Sequence, residues 1–170
     1  MDALEAILSR RSIRRYTQEP VSEEALKALL EAAMSAPSAG NEQPWHFIII
    51  TDRRLLDEIP RFHPYADMLR EAQVAILLCG DTKQERYKGH WVQDCSAATQ
   101  NLLLAAHASG LGAVWVGVYP VEERVQRMQK LFGLPAHVIP LALVPLGHPG
   151  ERIPRVQRFD PARIHLNGWR

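Results

Sequence analysis

Several things are scarce in this chain, and each scarcity closes off a class of protein. There are two cysteines, Cys79 and Cys95, with no CxxC pair and no paired histidines beside them. That excludes a standard zinc motif and a disulfide framework, and predicts two reduced, mostly buried thiols. The net charge is only +1 over 170 residues, so no global basic field argues for nucleic acid. The apolar runs are far too short to span a bilayer. No Walker A sequence exists, and no serine sits in a GxSxG elbow, so a hydrolase triad lacks support. The histidines show no metal spacing, and the acids show no paired pattern that singles out acid–base catalysis. There is no repeat, low-complexity tract or linker. Glycines at 110, 112 and 117 imitate a dinucleotide fingerprint. Their segment leaves a helix and enters a strand, the reverse of the context that fingerprint needs.

What is present is an ordinary soluble composition, 46% hydrophobic and 23% charged, in a length that suits one domain, residues 1–170. The opening residues, MDALEAILSR, read as an amphipathic helix rather than a signal peptide, and a cytoplasmic protein is expected. Asp2 caps a first helix over 3–9, and Ser22 caps a second with Glu23 and Glu24 in its first turn. The second helix carries Leu26, Leu29, Leu30 and Ala33 on one face and stops before Pro37. Buried strands are expected over 45–50 and 74–79, and short helices over 53–59 and 65–72. A long helix runs over 93–109 and ends at Gly110. Its apolar surface, Ala97, Ala98 and 102–106, is broad enough to need cover on more than one side, which points to a subunit interface. One strand follows over 112–118, a helix over 121–132 and a strand over 138–146. Pro140 and Pro145 suggest that this last strand lies at an edge or has irregular ends. The tail, 147–170, has little periodicity but holds Ile153, Val156, Phe159, Ile164, Leu166 and Trp169. These need burial, and wrapping onto a partner chain would give it. The alternation of elements gives an α/β sandwich, more α+β than doubly wound.

Two segments stand out. RRSIRR, Arg10 to Arg15, places four arginines in six residues. Arginine stays charged and grips phosphate in a bidentate fork, and Ser12 adds a small donor. An extended backbone puts Arg10, Ser12 and Arg14 on one side. Alone, the cluster is equally a solvated basic turn or a nucleic-acid patch. PSAGNEQPW, 37–45, is a thin, stiff loop. Ser38, Asn41 and Gln43 supply hydrogen-bonding groups, while Ala39 and Gly40 let the backbone approach a ligand. It is equally a helix-to-strand connection with ordinary turn chemistry. Gly117, inside an apolar strand, marks a close backbone approach or a bulge.

In their order, RRSIRRY, APSAGNEQPWHFI, QNLLLAAHASGLGAVWVGV and LALVPLGHPGE resemble the nitroreductase family of flavin-dependent oxidoreductases over nearly the whole chain. The length resembles the family's short branch. The resemblance implies a central mixed sheet flanked by helices, in an intertwined homodimer with FMN at the interface and the 147–170 extension on the partner. It implies that Arg10, Arg11, Ser12 and Arg14 bind the flavin, with Arg10 and Ser12 at the phosphate and ribityl chain and Arg14 toward the N1/O2 side of the ring. Pro37, Ser38 and Ala39 match a loop reaching the flavin of the other subunit, with Asn41 and Gln43 holding the loop and ring edge. Trp115, Val116 and Gly117 match the strand beside flavin N5. Gly147 and His148 match the turn near the phosphate, completed by Arg158 or Arg155, of which Arg158 is preferred. Larger members place an asparagine and a lysine near the flavin pyrimidine. Here the region reads HPYADMLREA and offers neither. Gly117 stands where larger members carry a glutamate.

The activity so implied is NAD(P)H-dependent reduction of nitroaromatics, quinones or similar acceptors by a ping-pong hydride mechanism. NAD(P)H is a transient reductant, and no side chain is a nucleophile or general base. No metal, nucleic acid or membrane is expected. Two alternatives remain: a specialised flavoenzyme of the same fold, oxygen-dependent, desaturating or dehalogenating, and an FMN-binding protein without turnover.

Overall fold

The computed structural model describes residues 1–169. Helix α1 (Ala3–Ser9) is capped by the Asp2 side chain, which accepts from Glu5 N, and α2 (Glu23–Met34) by Ser22, which accepts from Ala25 N. Strand β1 (Trp45–Ile50) leads to α3 (Arg53–Glu58), then two 3-10 turns and β2 (Val74–Asp81). The long helix α4 (Trp91–Ala108) precedes β3 (Gly112–Ala113), β4 (Val116–Gly117), α5 (Glu122–Phe132) and β5 (Val138–Gly147). The expected helix over 65–72 is only a 3-10 turn at Asp67–Arg70, and α4 begins two residues earlier than the periodicity predicts.

The strand order is β1-β2-β5-β3, with β4 also on β5. Every pairing is antiparallel among the described residues, so the sheet expected to be mixed is antiparallel within one chain. Strand β5 is central, which corrects the edge position inferred from its prolines. Two irregularities make a central strand with prolines possible. Pro140 sits at a register shift opposite Cys79, where Leu141 is the extra residue. Its carbonyl accepts from both Val118 N and Tyr119 N. Pro145 lies across from the break between β3 and β4, where Val114 and Trp115 pair with nothing. The single strand expected over 112–118 is therefore two short pieces. A missing N–H costs a ladder bond only where a partner carbonyl is waiting.

Strand β2 is buried at all eight positions because both faces of the sheet are covered. Ile76, Leu78, Val144 and Leu146 meet α2 and α4, while Ala75, Leu77, Cys79 and Leu143 meet α3, α5 and the turns between α3 and β2. The two thiols are free and buried, and burial pushes Cys79 up to about 12. Among the described residues strand β1 pairs only with β2, and it is half exposed rather than the buried strand its composition implies. The tail leaves Phe159, Leu166 and Trp169 at least 80% exposed. No helix among the described residues is long and apolar enough to cross a membrane.

Candidate functional site

The arginine segment leaves α1 in extended conformation at Arg10. It is held that way from both sides. Ile13 N donates to Ala113 O at 3.0 Å, beside Gly112, where a side chain would strike Ile13. Arg14 N and Arg15 N donate to Glu151 Oε1, and Tyr16 N to Glu71 Oε2. Tyr16 is buried, bridges to Pro149, and donates its hydroxyl to Ile13 O at 2.7 Å.

Arg11 and Ile13 line a cavity of about 490 Å³ beside α1. Arg11 is consumed there, its guanidinium donating to the carbonyls of Leu8, Arg10 and Pro154. Arg10 lines a neighbouring cavity of about 370 Å³ with Arg158 and Gln100; Arg11 borders this cavity too, and no carboxylate lines it. Arg155 also reaches this cavity but pairs with Glu5 at 3.7 Å. The guanidinium groups of Arg10, Arg14 and Arg158 have no hydrogen-bond or ion-pair partner among the described residues. Burial, then Arg158 and Arg11, push the Arg10 pKa down. This is the signature of a cationic cluster without its counter-charge.

Four residues further along the same segment, Arg14 lines a cavity of about 470 Å³ with two groups of residues, Trp115, Val116 and Gly117 in the first and Pro64, Tyr65, Asp67 and Met68 in the second. The second group lies in the HPYADML stretch, which the sequence marks only as lacking a familiar asparagine and lysine. A Cβ on Gly117 would meet nothing within 4 Å, so that wall is open backbone. Behind it, His63 is 1% exposed. Burial and the Arg124 charge lower its pKa against the opposing bond to Gly117 O. His148 turns its ring to Glu19 at 3.5 Å, and Gly147 packs against Tyr16. Among the described residues no group of three His, Cys, Asp or Glu is arranged to hold a metal ion.

Residues 37–43 line neither of the cavities that Arg10 and Arg14 line. Their loop is a strained turn, with positive φ at Gly40, Asn41 and Gln43. Asn41 and Gln43 themselves are exposed. The loop is held by Ser38 Oγ accepting from Gln43 N, by Asp94 Oδ1 accepting from Ala39 N, and by Glu42 Oε2 accepting from Arg86 N and Tyr87 N. Glu42 and Asp94 are both buried. Glu42 Oε1 and Asp94 Oδ2 have no hydrogen-bond partner among the described residues, and a proton shared between the two carboxyls would satisfy both. Neither acid shows a role in the sequence. The available signal is a lone acid in the first turn of an otherwise Ala- and Leu-rich helix.

Against this geometry the similarities to known proteins are consistent. The model of the nitroreductase family matches residues 7–62 and 61–148, and the chain belongs to that family. It is 54% identical, over 99% of its length and 88% of the relative's, to the "Putative NADH dehydrogenase/NAD(P)H nitroreductase" of Methanothermobacter thermautotrophicus. A crystal structure of a protein of the same name from Parabacteroides distasonis superposes with a TM-score of 0.94 at 45% identity, covering 98% of each chain. A Desulfovibrio desulfuricans structure, 36% identical over 99% of each chain with a TM-score of 0.86, is described as a nitroreductase-type complex with FMN.

Proposed function

We propose that the chain is an FMN-dependent NAD(P)H oxidoreductase that reduces nitroaromatics, quinones or related acceptors as a homodimer. The observation that carries this reading is the series of uncompensated guanidinium groups along one short path. Arg10 and Arg158 flank an acid-free cavity, and Arg14 stands at a second cavity walled by open backbone. Four extended residues span at most about 14 Å, a reach suited to a phosphate at one end and a flat ring at the other. The FMN in the Desulfovibrio structure and the NAD(P)H in the Methanothermobacter protein's name support the same pairing.

In this reading Arg10 and Arg158 grip the phosphate, with Ser12 beside the ribityl chain. Arg14 sets a fixed positive charge at the pyrimidine edge, where negative charge gathers on reduction. Val118 N points into the sheet at Leu141 O, so Gly117 N, one residue earlier, points outward to the ring pocket. Trp115, Val116 and Tyr65 shield the ring, while Gly147 and His148 shape the turn near the phosphate. FMN, when bound, supplies the two-electron redox chemistry, and the protein supplies binding, orientation and electrostatics. NAD(P)H and the acceptor then use one pocket in turn, which predicts parallel double-reciprocal plots. Intersecting lines would require two separate sites.

Pro37, Ser38, Ala39, Asn41 and Gln43 complete the pocket from the partner subunit, since within one chain they lie on another part of the surface. The 147–170 extension wraps that partner. Its exposed Phe159, Leu166 and Trp169, and the open edge of β1 with Ile49 at 43% exposure, support this arrangement.

The test is a visible absorption spectrum of the purified protein, repeated anaerobically with NADH and with NADPH. A flavin spectrum that bleaches supports the proposal. One that persists favours a specialised flavoenzyme of the same fold or an FMN-binding protein without turnover. A colourless protein that refuses added FMN overturns the site.

A further inference from the structure

The wall that carries Gly117 is held from behind by two residues that do not themselves line the ring cavity. His63 Nε2 lies 2.9 Å from Gly117 O, and Tyr65 N lies 3.3 Å from His63 Nδ1. One tautomer satisfies both contacts: neutral, with the proton on Nε2 donated to Gly117 and Nδ1 accepting from Tyr65. Arg124 of α5 donates Nη1 to the same Gly117 carbonyl at 3.2 Å, and its guanidinium sits 5.3 Å above the Tyr65 ring. So one imidazole and one guanidinium tie together two segments that line the cavity, the Gly117 backbone and Tyr65.

Gly117 needs such a hold. It ends a strand of two residues, and no side chain of its own restrains its rotation. Its N–H and C=O share one side of the strand, away from β5. Two donors on the carbonyl therefore fix where the N–H points. We propose that His63 and Arg124 are positioning residues for the ring pocket, aiming the Gly117 N–H and seating Tyr65 beside it. The proposal rests on the flavin reading above. A flavin N5 accepts a hydrogen bond when oxidised and carries a proton when reduced, so an N–H aimed at it favours the oxidised form. A loosened Gly117 should lose that preference.

The experiment compares FMN-loaded wild type with His63→Leu, His63→Gln, Arg124→Met and Arg124→Lys. The readouts are the visible band shape and the two-electron midpoint potential. His63→Leu removes both hydrogen bonds, and its potential should rise by about 30 mV, a tenfold change in the relative binding of the two redox states. His63→Gln, whose amide can still donate to Gly117 O, should return most of that shift. Arg124→Met should alter both band shape and potential, and Arg124→Lys should move them back toward wild type. Arg124 lies on the half-exposed face of α5, so its pair decides the matter if His63→Leu does not fold. Wild-type spectra and potentials in both His63→Leu and Arg124→Met, or in Arg124→Met alone where His63→Leu does not fold, would overturn the positioning role and leave the flavin reading standing. A wild type that takes up no FMN would overturn both.

Discussion

Arg10 and Arg11 are neighbours of identical chemistry, yet replacing each with alanine should damage different properties. Arg11 donates to three backbone carbonyls, those of Leu8, Arg10 and Pro154. At about 0.5–1.5 kcal/mol net for each such bond, taken toward the low end for a half-exposed site, Arg11→Ala should cost about 1.5–3 kcal/mol of stability. For a chain of this length that lowers Tm by about 3–12 °C. Arg10 makes no such bonds and stands in a cluster of like charge with Arg158. Arg10→Ala should leave the FMN-free protein as stable as wild type or slightly more so. Losing charge-assisted bonds to phosphate should cost about 1.5–3 kcal/mol of binding, raising the FMN dissociation constant about 10- to 150-fold. The assay pairs thermal melts of the flavin-free proteins with fluorescence titration of FMN. If Arg11→Ala loses FMN affinity like Arg10→Ala while keeping its Tm, the division of labour between the two arginines is wrong.

Asp94→Asn keeps an acceptor for Ala39 N and sets an NH2 against Glu42, so it should change stability by less than about 1 kcal/mol, whereas Asp94→Ala, which orphans Ala39 N, should cost about 1–3 kcal/mol. Burial, with the facing Glu42 carboxylate, raises the Asp94 pKa against the Ala39 N–H; the stability tied to that proton is present at acid pH and lost as pH rises through the folded value. Glu42 runs the other way: against its burial, the N–H groups of Tyr87 and Arg86 hold it low, so its contribution fades only as pH falls through its lowered value. Denaturant melts across pH should show the alkaline decline in wild type and not in Asp94→Asn; superimposable profiles would refute the shared proton. Gly112→Ala drives a methyl to within 2.7 Å of Ile13 and should destabilise the arginine segment, while Gly117→Ala meets no atom of the chain and should melt like wild type; equal Tm losses would contradict this. Removing residues 153–170 should turn a dimer into a monomer by sedimentation, and an unchanged mass would dismiss the wrapping tail.

The sequence was legible wherever a local rule acts alone. Asp2 and Ser22 cap their helices because a short side-chain oxygen preceding a helical run has orphan N–H groups to satisfy. The rest depended on partners distant in sequence. Pro140 and Pro145 argue for an edge strand only until a bulge at Leu141 and a break at Val114–Trp115 remove the carbonyls they would fail to meet. Nothing near Arg11 in sequence shows that the tail brings Pro154 O to its guanidinium.

By itself, then, the sequence determined the caps of the first two helices, the buried character of β2 and the burial of the reduced thiols. Each depends on composition or short-range periodicity. Tertiary structure alone decided which arginines stay uncompensated, that the HPYADML stretch lines the cavity at Arg14, and that Glu42 meets Asp94 and His63 meets Gly117. Those facts arise where segments separated by some fifty residues meet, and the free energy of a buried polar group is set by the partner it finds there.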